Sequence, residues 1–384
     1  MQFQFATASR IIFGEGCLGQ VGDIAAGSGK KAFVVTGKGG AGPDKLFDKL
    51  SRASVVWKQF VVVDEPSTGL LQDAVDDARR NGCDYVIGFG GGSVLDTAKA
   101  VSAMLTNTGD ILEYLEVVGK NQPIKNPAAI FIAIPTTAGT GTEVTRNAVL
   151  SVPEKKVKVS LRSYLIIPKY AVVDPELTYS MPPAVTASSG TDALTQVLEP
   201  YVSKRANLMT DQFAREGIRC ASRSLRKAYR GGADQGARRD MAWASLLGGL
   251  SLANAGLGAV HGFAGPFGGM FDAPHGAVCG RLLPFVTKMN VRALRSVDPE
   301  SEKLSRYKEI AEILTNDPKA TIEDGVFWLK ELVEELEIPG LATYGATPAD
   351  FTSIIQKSQS SSSMKGNPVD LTDEQLKEIL AEAL

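Results

Sequence analysis

Short apolar runs alternate with amphipathic stretches over the first half of the chain. Four of these runs have strand length and end at glycine, proline or threonine, so we predict strands in KKAFVVTG, CDYVIGFGGG, AAIFIAIPTT and YAVVDP. Between them, apolar residues recur at helical spacing, for example over 71–80 and 94–106. Strands that alternate with helices build parallel sheets, and this half is therefore predicted to be a parallel α/β domain.

The pattern changes after the segment DPELTYSMPP, where two consecutive prolines interrupt the chain. From Ala184 onward the apolar residues follow helical spacing, with almost no strand pattern. Near the end, TDEQLKEILAEAL opens with a capping-box pattern that predicts the start of a last helix. The sequence therefore predicts an α/β domain over residues 1–180 and an all-helical domain over residues 181–384.

Composition is that of an ordinary globular protein. The 384 residues are 44% apolar and 22% charged, and a formal net charge of -2 gives no general attraction to nucleic acid or membrane surfaces. No apolar run is long enough to span a bilayer, and the first ten residues lack the apolar core of a secretory signal. The four cysteines are scattered, as expected of free thiols in a reducing compartment. We therefore expect a cytoplasmic protein.

The second predicted strand runs into a glycine loop, GFGGGSVLDTAKA, that opens a helix. Gly91 and Gly92 remove side chains where a backbone must approach a ligand closely. Ser93 supplies a hydroxyl group, and Asp96 can brace the loop. The helix N-terminus adds free N–H groups that suit a pyrophosphate. The alternative for this loop alone is a tight strand-to-helix turn with no ligand.

A second loop follows the third predicted strand, in IPTTAGTGTEVT. Thr136, Thr137 and Thr140 place hydroxyl groups among glycines, which suits contacts with phosphate and ribose. Two such loops, each after a strand, predict a dinucleotide ligand.

The end of the first predicted strand bears on the choice of dinucleotide. Many dinucleotide-binding folds carry an acid there that bonds the ribose 2′-hydroxyl. In this chain Gly37 and Lys38 occupy the position. Since no carboxylate repels a 2′-phosphate and a lysine attracts it, the sequence favours NADP over NAD.

Two further patterns in the sequence each allow more than one interpretation. The chain has only two histidines, His261 and His275, which lie in VHGFAGPFGGMFDAPHG and could be metal ligands, catalytic acids or ordinary loop residues. Five arginines recur at helical spacing and therefore share one face of a helix: Arg215, Arg219, Arg223, Arg226 and Arg230. This face is either an anion-binding patch or a solvated surface, and the acidic residues nearby favour the solvated surface.

The motifs GGGSVLDTAKA, PTTAGTGTEVT, DPELT, GTDALTQVLEPYVS and GAVHGFAGPFGGMFDAPHG together resemble the iron-containing (group III) alcohol dehydrogenases in order and spacing. The resemblance implies the architecture shared with dehydroquinate synthase. An α/β N-terminal dinucleotide-binding domain precedes an all-α C-terminal domain, with the active site in the cleft between them. It also implies an NAD(P)-dependent oxidoreductase that moves hydride between nicotinamide C4 and a small carbonyl or alcohol, and a homodimer or higher oligomer.

The resemblance assigns a metal site as well. The family holds a divalent metal, Fe²⁺ or Zn²⁺, with one aspartate and three histidines, and Asp192, His261 and His275 match three of these ligands and would carry the catalysis. Gln196 stands at the fourth position, one helical turn after Asp192. Lys158 matches a lysine that contacts the cofactor, with a solvated strand lysine as the alternative.

Two departures from the family pattern leave alternatives for the chemistry of the site. Gln196 offers only a neutral amide, and Gly265 stands where many relatives have another histidine with a proton-relay or substrate role. The site therefore either keeps a Lewis-acid metal or activates its substrate by hydrogen bonds alone. A lyase of the dehydroquinate-synthase type and an impaired cofactor-binding protein are the other hypotheses.

Overall fold

The computed structural model describes residues 2–39, 42–63, 65–155 and 157–384. The chain divides into two compact units, Phe5–Met181 and Pro182–Leu384, the second of which also includes residues 2–4. Dinucleotide binding by domain 1–180 and metal and substrate binding by domain 181–384 stay predictions.

The first unit is built on a six-stranded parallel sheet with the order β1-β8-β5-β4-β2-β3 and a separate antiparallel pair, β6-β7. The strands are β1 (Arg10–Phe13), β2 (Lys31–Gly37), β3 (Val56–Val62), β4 (Tyr85–Gly90), β5 (Phe131–Pro135), β6 (Asn147–Val152), β7 (Val157–Arg162) and β8 (Tyr170–Val173). The helices of this unit are α1 (Val21–Ala26), α2 (Asp44–Arg52), α3 (Thr68–Arg80) and α4 (Gly92–Thr106). The predicted parallel α/β class is confirmed.

The four strands predicted from the apolar runs are present as β2, β4, β5 and β8. These strands lie in the interior of the sheet, where both faces are covered and a nearly continuous apolar run is required. Along β2, for example, Phe33 and Val35 pack with α3 and α4, while Ala32 and Val34 pack with α1 and α2.

The sequence prediction omitted β1, β3 and the β6-β7 pair. β1 and β3 are the two edges of the sheet, and both are partly exposed. Edge strands carry polar and exposed residues, so their apolar pattern is weak.

The second unit is helical throughout its described residues, as predicted. Its helices are α5 (Pro183–Val202), α6 (Leu208–Arg230), α7 (Gln235–Ala255), α8 (Ala259–Phe271), α9 (His275–Val297), α10 (Glu302–Thr315), α11 (Ile322–Glu335), α12 (Phe351–Gln359) and α13 (Asp373–Ala383). The predicted capping box is present, with Thr372 and Gln375 bonded reciprocally at the start of α13. Helix α5 packs against α6, α7 and α9, and all its residues from 190 to 202 are buried.

The arginine stripe of α6 is neutralised by acids rather than left as an anion-binding patch. Each of its members forms an ion pair, and the pairs are Arg215–Glu309, Arg219–Glu216, Arg223–Asp240, Arg226–Glu335 and Arg230–Glu335. The solvated, ion-paired face is therefore the better interpretation of this pattern.

Within the described ranges, no single helix has the length and apolar character of a membrane span; only α7 and α8 taken together, bent by 99°, meet that criterion. All four cysteines are free and buried, as predicted for thiols outside a disulfide framework.

Candidate metal centre and phosphate loops

Helix α5 places Asp192 and Gln196 one turn apart on a buried face. Neither Asp192 Oδ1 nor Gln196 Oε1 has a hydrogen-bond partner in the part of the chain that the structure describes. Burial alone would raise the pKa of Asp192, but the imidazoles of His261 and His275 outweigh burial and hold that pKa below its usual value. The site therefore contains a buried carboxylate with an unshared oxygen.

His261, near the start of α8, is held from one side by Glu199. His261 Nδ1 lies 2.7 Å from Glu199 Oε2, and Glu199 Oε1 accepts a hydrogen bond of 2.7 Å from the backbone N–H of Val260. A carboxylate only accepts hydrogen bonds, so the proton of the neutral ring belongs on Nδ1. The free electron pair of His261 Nε2 then points toward Asp192 Oδ1, 3.3 Å away.

An unshared pair on nitrogen that faces a carboxylate oxygen is repulsive unless a cation lies between the two atoms. Burial alone would lower the pKa of the His261 imidazole, but the surrounding thiol and carboxylate groups, of which Cys279 and Asp192 contribute most, hold it well above its usual value. The groups around the ring therefore favour positive charge at Nε2, which a metal ion can supply.

His275 is the first residue of α9 and completes the histidine pair. Residues 272–274 connect α8 to α9, with Asp272 in the left-handed region at φ 49. The two imidazole rings lie 5.4 Å apart between centroids, and His275 Nε2 lies 4.0 Å from Asp192 Oδ1. The spacing of fourteen positions between the histidines thus brings both rings to one carboxylate.

Two glycines allow α9 to approach α5 closely. A Cβ atom at Gly276 would collide with the carbonyl oxygen of Ser188, and one at Gly280 would lie 2.6 Å from the hydroxyl oxygen of Thr191. That hydroxyl lies 3.1 Å from the carbonyl oxygen of Gly276. Because bare backbone permits this approach, the first turn of α9 comes up against Asp192.

Cys279 also belongs to this cluster, and the sequence interpretation missed it. It is fully buried on α9, one turn after His275, and its Sγ lies 3.7 Å from His275 Nε2. One ligand atom from each of four side chains lies within 4.8 Å of the others: Asp192, His261, His275 and Cys279. The spacing of four residues from His275 is the signal that could have identified it.

The residues of this cluster fit a divalent cation. Buried polar atoms are nearly always hydrogen-bonded, yet Asp192 Oδ1, Gln196 Oε1 and His261 Nε2 have no such partner within the described residues. Imidazole nitrogen, carboxylate oxygen and thiolate sulfur are ligands that Zn²⁺ and Fe²⁺ accept.

Gly265 lies one turn after His261 on α8. A Cβ atom added there would meet no atom within 4 Å. The position thus has room for a Cβ atom, and the histidine that the resemblance predicts there in many relatives stays a prediction.

In the first unit, the two predicted phosphate loops lie against each other at the end of the sheet. A Cβ atom at Gly91 would lie 3.3 Å from Thr137 Cγ2, and one at Gly92 would lie 2.7 Å from Thr140 Cγ2. Helix α4 begins there with no side chain capping its first turn. Its free N–H groups are the donors that a pyrophosphate requires. Nearby, Ser93 is exposed and Thr136 is buried.

Asp96 braces the second loop and strand β6. Its Oδ1 accepts a hydrogen bond of 2.6 Å from the Thr142 hydroxyl, and its Oδ2 accepts one of 3.1 Å from the backbone N–H of Val149. Both carboxylate oxygens are thus engaged within the protein, and a direct contact of Asp96 with cofactor stays a prediction.

Lys99, which the sequence interpretation did not select, anchors the same loop from α4. Its ammonium group lies within 3.0 Å of backbone and hydroxyl oxygens of Thr142 and Thr145 and of the carbonyl oxygen of Asn147. Burial lowers its pKa to about 8, and burial raises the pKa of the adjacent Glu143 to about 7. A lysine within an apolar helical run carries no sequence signal for this function.

The remaining predicted cofactor residues have mixed surroundings. Gly37 ends β2, and Lys38 after it is exposed. Lys158 is mostly buried and forms an ion pair of 2.5 Å with Glu65. It is therefore not a solvated strand lysine, and its contact with the cofactor stays a prediction.

Comparison with known proteins bears on the whole chain. A family described as iron-containing alcohol dehydrogenase matches residues 8–175, and the C-terminal part of the Fe-containing alcohol dehydrogenase family matches residues 186–384. The 1,3-propanediol dehydrogenase of Klebsiella pneumoniae is 34% identical over 367 residues, 92% of each chain. Alcohol dehydrogenase 4 of Schizosaccharomyces pombe is 33% identical over 97% of this chain and 87% of its own.

The fold agrees with these sequence matches. The crystal structure of a 1,3-propanediol oxidoreductase superposes with a TM-score of 0.91 at 33% identity over the full length of both chains. The protein therefore belongs to the iron-containing alcohol dehydrogenase family and is an oxidoreductase that acts on alcohol groups.

Proposed function

We propose that this enzyme reduces small aldehydes to alcohols, and catalyses the reverse reaction, with NADPH as the preferred coenzyme and a divalent cation held by Asp192, His261 and His275. The observation that carries the proposal is the convergence of unpartnered buried atoms on these residues. When bound, the cation acts as a Lewis acid toward the substrate oxygen, and the reduced nicotinamide supplies the hydride.

The protein prepares this site through its own hydrogen bonds. Glu199 holds the proton of His261 on Nδ1, which leaves Nε2 free to bind a cation and fixes the plane of the ring. Asp192 stays ionised because both imidazoles lower its pKa. Because Gly265 carries no group that transfers protons, we infer a route through water or a cofactor hydroxyl for the proton that reaches the substrate oxygen.

The preference for NADPH rests on the end of β2. Gly37 presents no carboxylate to a 2′-phosphate, and the ammonium group of Lys38 is exposed beside it. The family match supports this oxidoreductase over the lyase of the dehydroquinate-synthase type. A cytoplasmic location and a homodimeric or higher assembly stay predictions.

Anaerobic purification followed by elemental analysis and a coenzyme assay tests the proposal. We expect about one divalent cation per chain and oxidation of NADPH with short aldehydes. Asp192→Asn should lose both the cation and the activity, whereas Asp298→Asn, an exposed acid at the end of α9, should retain both. A wild-type protein that turns over no aldehyde or ketone with either Fe²⁺ or Zn²⁺ would contradict the proposal.

A further inference from the structure

We propose that Cys279 is a ligand of the cation, so that the site is an Asp192–His261–His275–Cys279 set that binds Zn²⁺ in preference to Fe²⁺. This inference rests on the proposed function, because it concerns the same cation. It replaces the missing fourth histidine with a thiolate from another helix.

Two of the distances between ligand atoms agree with one tetrahedral ion. Two nitrogen or oxygen ligands of tetrahedral zinc lie about 3.4 Å apart, and a nitrogen and a sulfur ligand about 3.6 Å apart. Asp192 Oδ1 and His261 Nε2 are 3.3 Å apart, and His275 Nε2 and Cys279 Sγ are 3.7 Å apart. The remaining separations among the four atoms stay within 4.8 Å. These two edges match a zinc site, whereas His275 Nε2 and Asp192 Oδ1, 4.0 Å apart, would draw closer together on an ion.

The other cysteines of the chain have different surroundings. The thiol of Cys17 donates to the carbonyl of Ile12, that of Cys83 to the carbonyl of Ala32, and Cys220 contacts Glu216. Each of these contacts is an ordinary one for a buried free thiol. Only Cys279 among the four faces an imidazole nitrogen.

The unpartnered atoms around Cys279 are an independent indication of a ligand. Asp192 Oδ1 and His261 Nε2 belong to side chains that are more than nine-tenths buried, and neither has a hydrogen-bond partner in the described ranges. Both lie in the same cluster as the sulfur. The surroundings of the sulfur are therefore prepared for a cation, and its contact with His275 Nε2 places Cys279 within reach of that cation.

Charge and ligand softness favour zinc. Asp192 and a thiolate at Cys279 together carry two negative charges, which balance a divalent ion in a buried site. Thiolate ligands select Zn²⁺ over harder cations. The substrate oxygen would then add as a fifth ligand, to which zinc sites can expand, and the Gln196 side chain is left to bond a water molecule or the substrate.

Cobalt substitution tests this assignment without an activity measurement. Full-length protein is stripped of metal and titrated with Co²⁺, and a thiolate ligand gives a sulfur-to-cobalt charge-transfer band in the near ultraviolet. We expect the band in the wild type and in Cys220→Ser, a matched control in a buried cysteine of the same helical unit. We expect Cys279→Ser to lack the band and to bind Zn²⁺ more weakly by more than about tenfold, since even outer-shell changes cost that much.

A second measurement addresses metal preference. From an equimolar anaerobic mixture the wild type should load Zn²⁺, and Cys279→Ser should shift the ratio toward Fe²⁺. Stoichiometric cobalt without the band in wild type would overturn the thiolate ligand and leave the proposed function standing. A band that persists in Cys279→Ser would also overturn it. Failure of every variant to bind cobalt, Zn²⁺ or Fe²⁺, with native circular dichroism, would overturn the metal centre and this inference together.

Discussion

Glu199 and His261 form a buried carboxylate–imidazole pair, with Oε2 of the glutamate 2.7 Å from Nδ1 of the histidine. The pair decides which ring nitrogen is available to a cation. It also connects α5 to α8, because the second oxygen of Glu199 accepts from the backbone N–H of Val260. Such carboxylate partners of metal-binding histidines tune both the orientation and the basicity of the ring.

Glu199→Gln tests this positioning function. The amide can donate as well as accept, so the proton of His261 is no longer held on Nδ1 and the ring loses its preferred tautomer. We expect Zn²⁺ affinity to fall about 10- to 100-fold, with native circular dichroism. Isothermal titration of metal-free protein measures the change. Glu302→Gln, in an exposed acid of α10, is the control, and equal affinities in both variants would refute a positioning function.

Gln196→His introduces the ligand type that the family resemblance predicts for this position. The amide oxygen of Gln196 is buried and has no partner among the described residues, so an imidazole there can reach the cation as a stronger donor. We expect the metal dissociation constant to fall at least about tenfold, as ligand-level changes do. Gln196→Leu, with similar volume and no donor, provides the comparison. If neither variant changes the affinity, residue 196 does not face the metal.

Glu143→Gln changes the dependence of stability on pH. Burial raises the pKa of Glu143 from 4.5 to about 7, so the native state binds more protons than the unfolded state between those values. The stability that this group contributes is fully present below pH 4.5 and is lost as pH rises through about 7. Gln cannot ionise, and the variant should therefore be more stable than wild type above pH 7, by roughly 3 kcal/mol at most.

Urea unfolding from pH 5 to pH 9 measures this difference. The gap between the variant and wild type should widen with pH across that range and level off near the upper end. Glu154→Gln, in an exposed acid of the β6-β7 turn, should show no such gap. A constant difference at all pH values would refute titration of Glu143 as its cause.

Lys38→Ala tests the coenzyme preference. The exposed ammonium group of Lys38 is proposed to attract the 2′-phosphate, and a solvent-exposed pair of charges contributes about 1 kcal/mol. We expect KM for NADPH to rise about fivefold and KM for NADH to stay unchanged. Lys30→Ala, at the opposite end of β2, is the control. A similar increase for both coenzymes would show that Lys38 does not distinguish them.

The sequence by itself determined the elements whose pattern is local. Interior strands β2, β4, β5 and β8 need apolar residues at nearly every position, and the helical unit repeats apolar residues along each helix, so neighbours in sequence carried the signal. The glycine loops were predictable for the same reason, since a strand, bare backbone and a helix start follow one another directly. The matched positions Asp192, His261 and His275 came from the family motifs, and the structure places all three in one cluster.

Only the tertiary structure decided which partners the buried polar groups contact. Glu199 and His261 are 62 positions apart in the sequence, and Lys99 binds oxygen atoms of residues more than 40 positions away. No local sequence pattern predicts either contact. Cys279 follows His275 by one turn of α9, so that contact is local, but only the close approach of α9 to α5 brings the pair to Asp192. The physical reason is that periodicity reports which side of an element is buried, whereas the partner of a buried charge is selected by how helices pack.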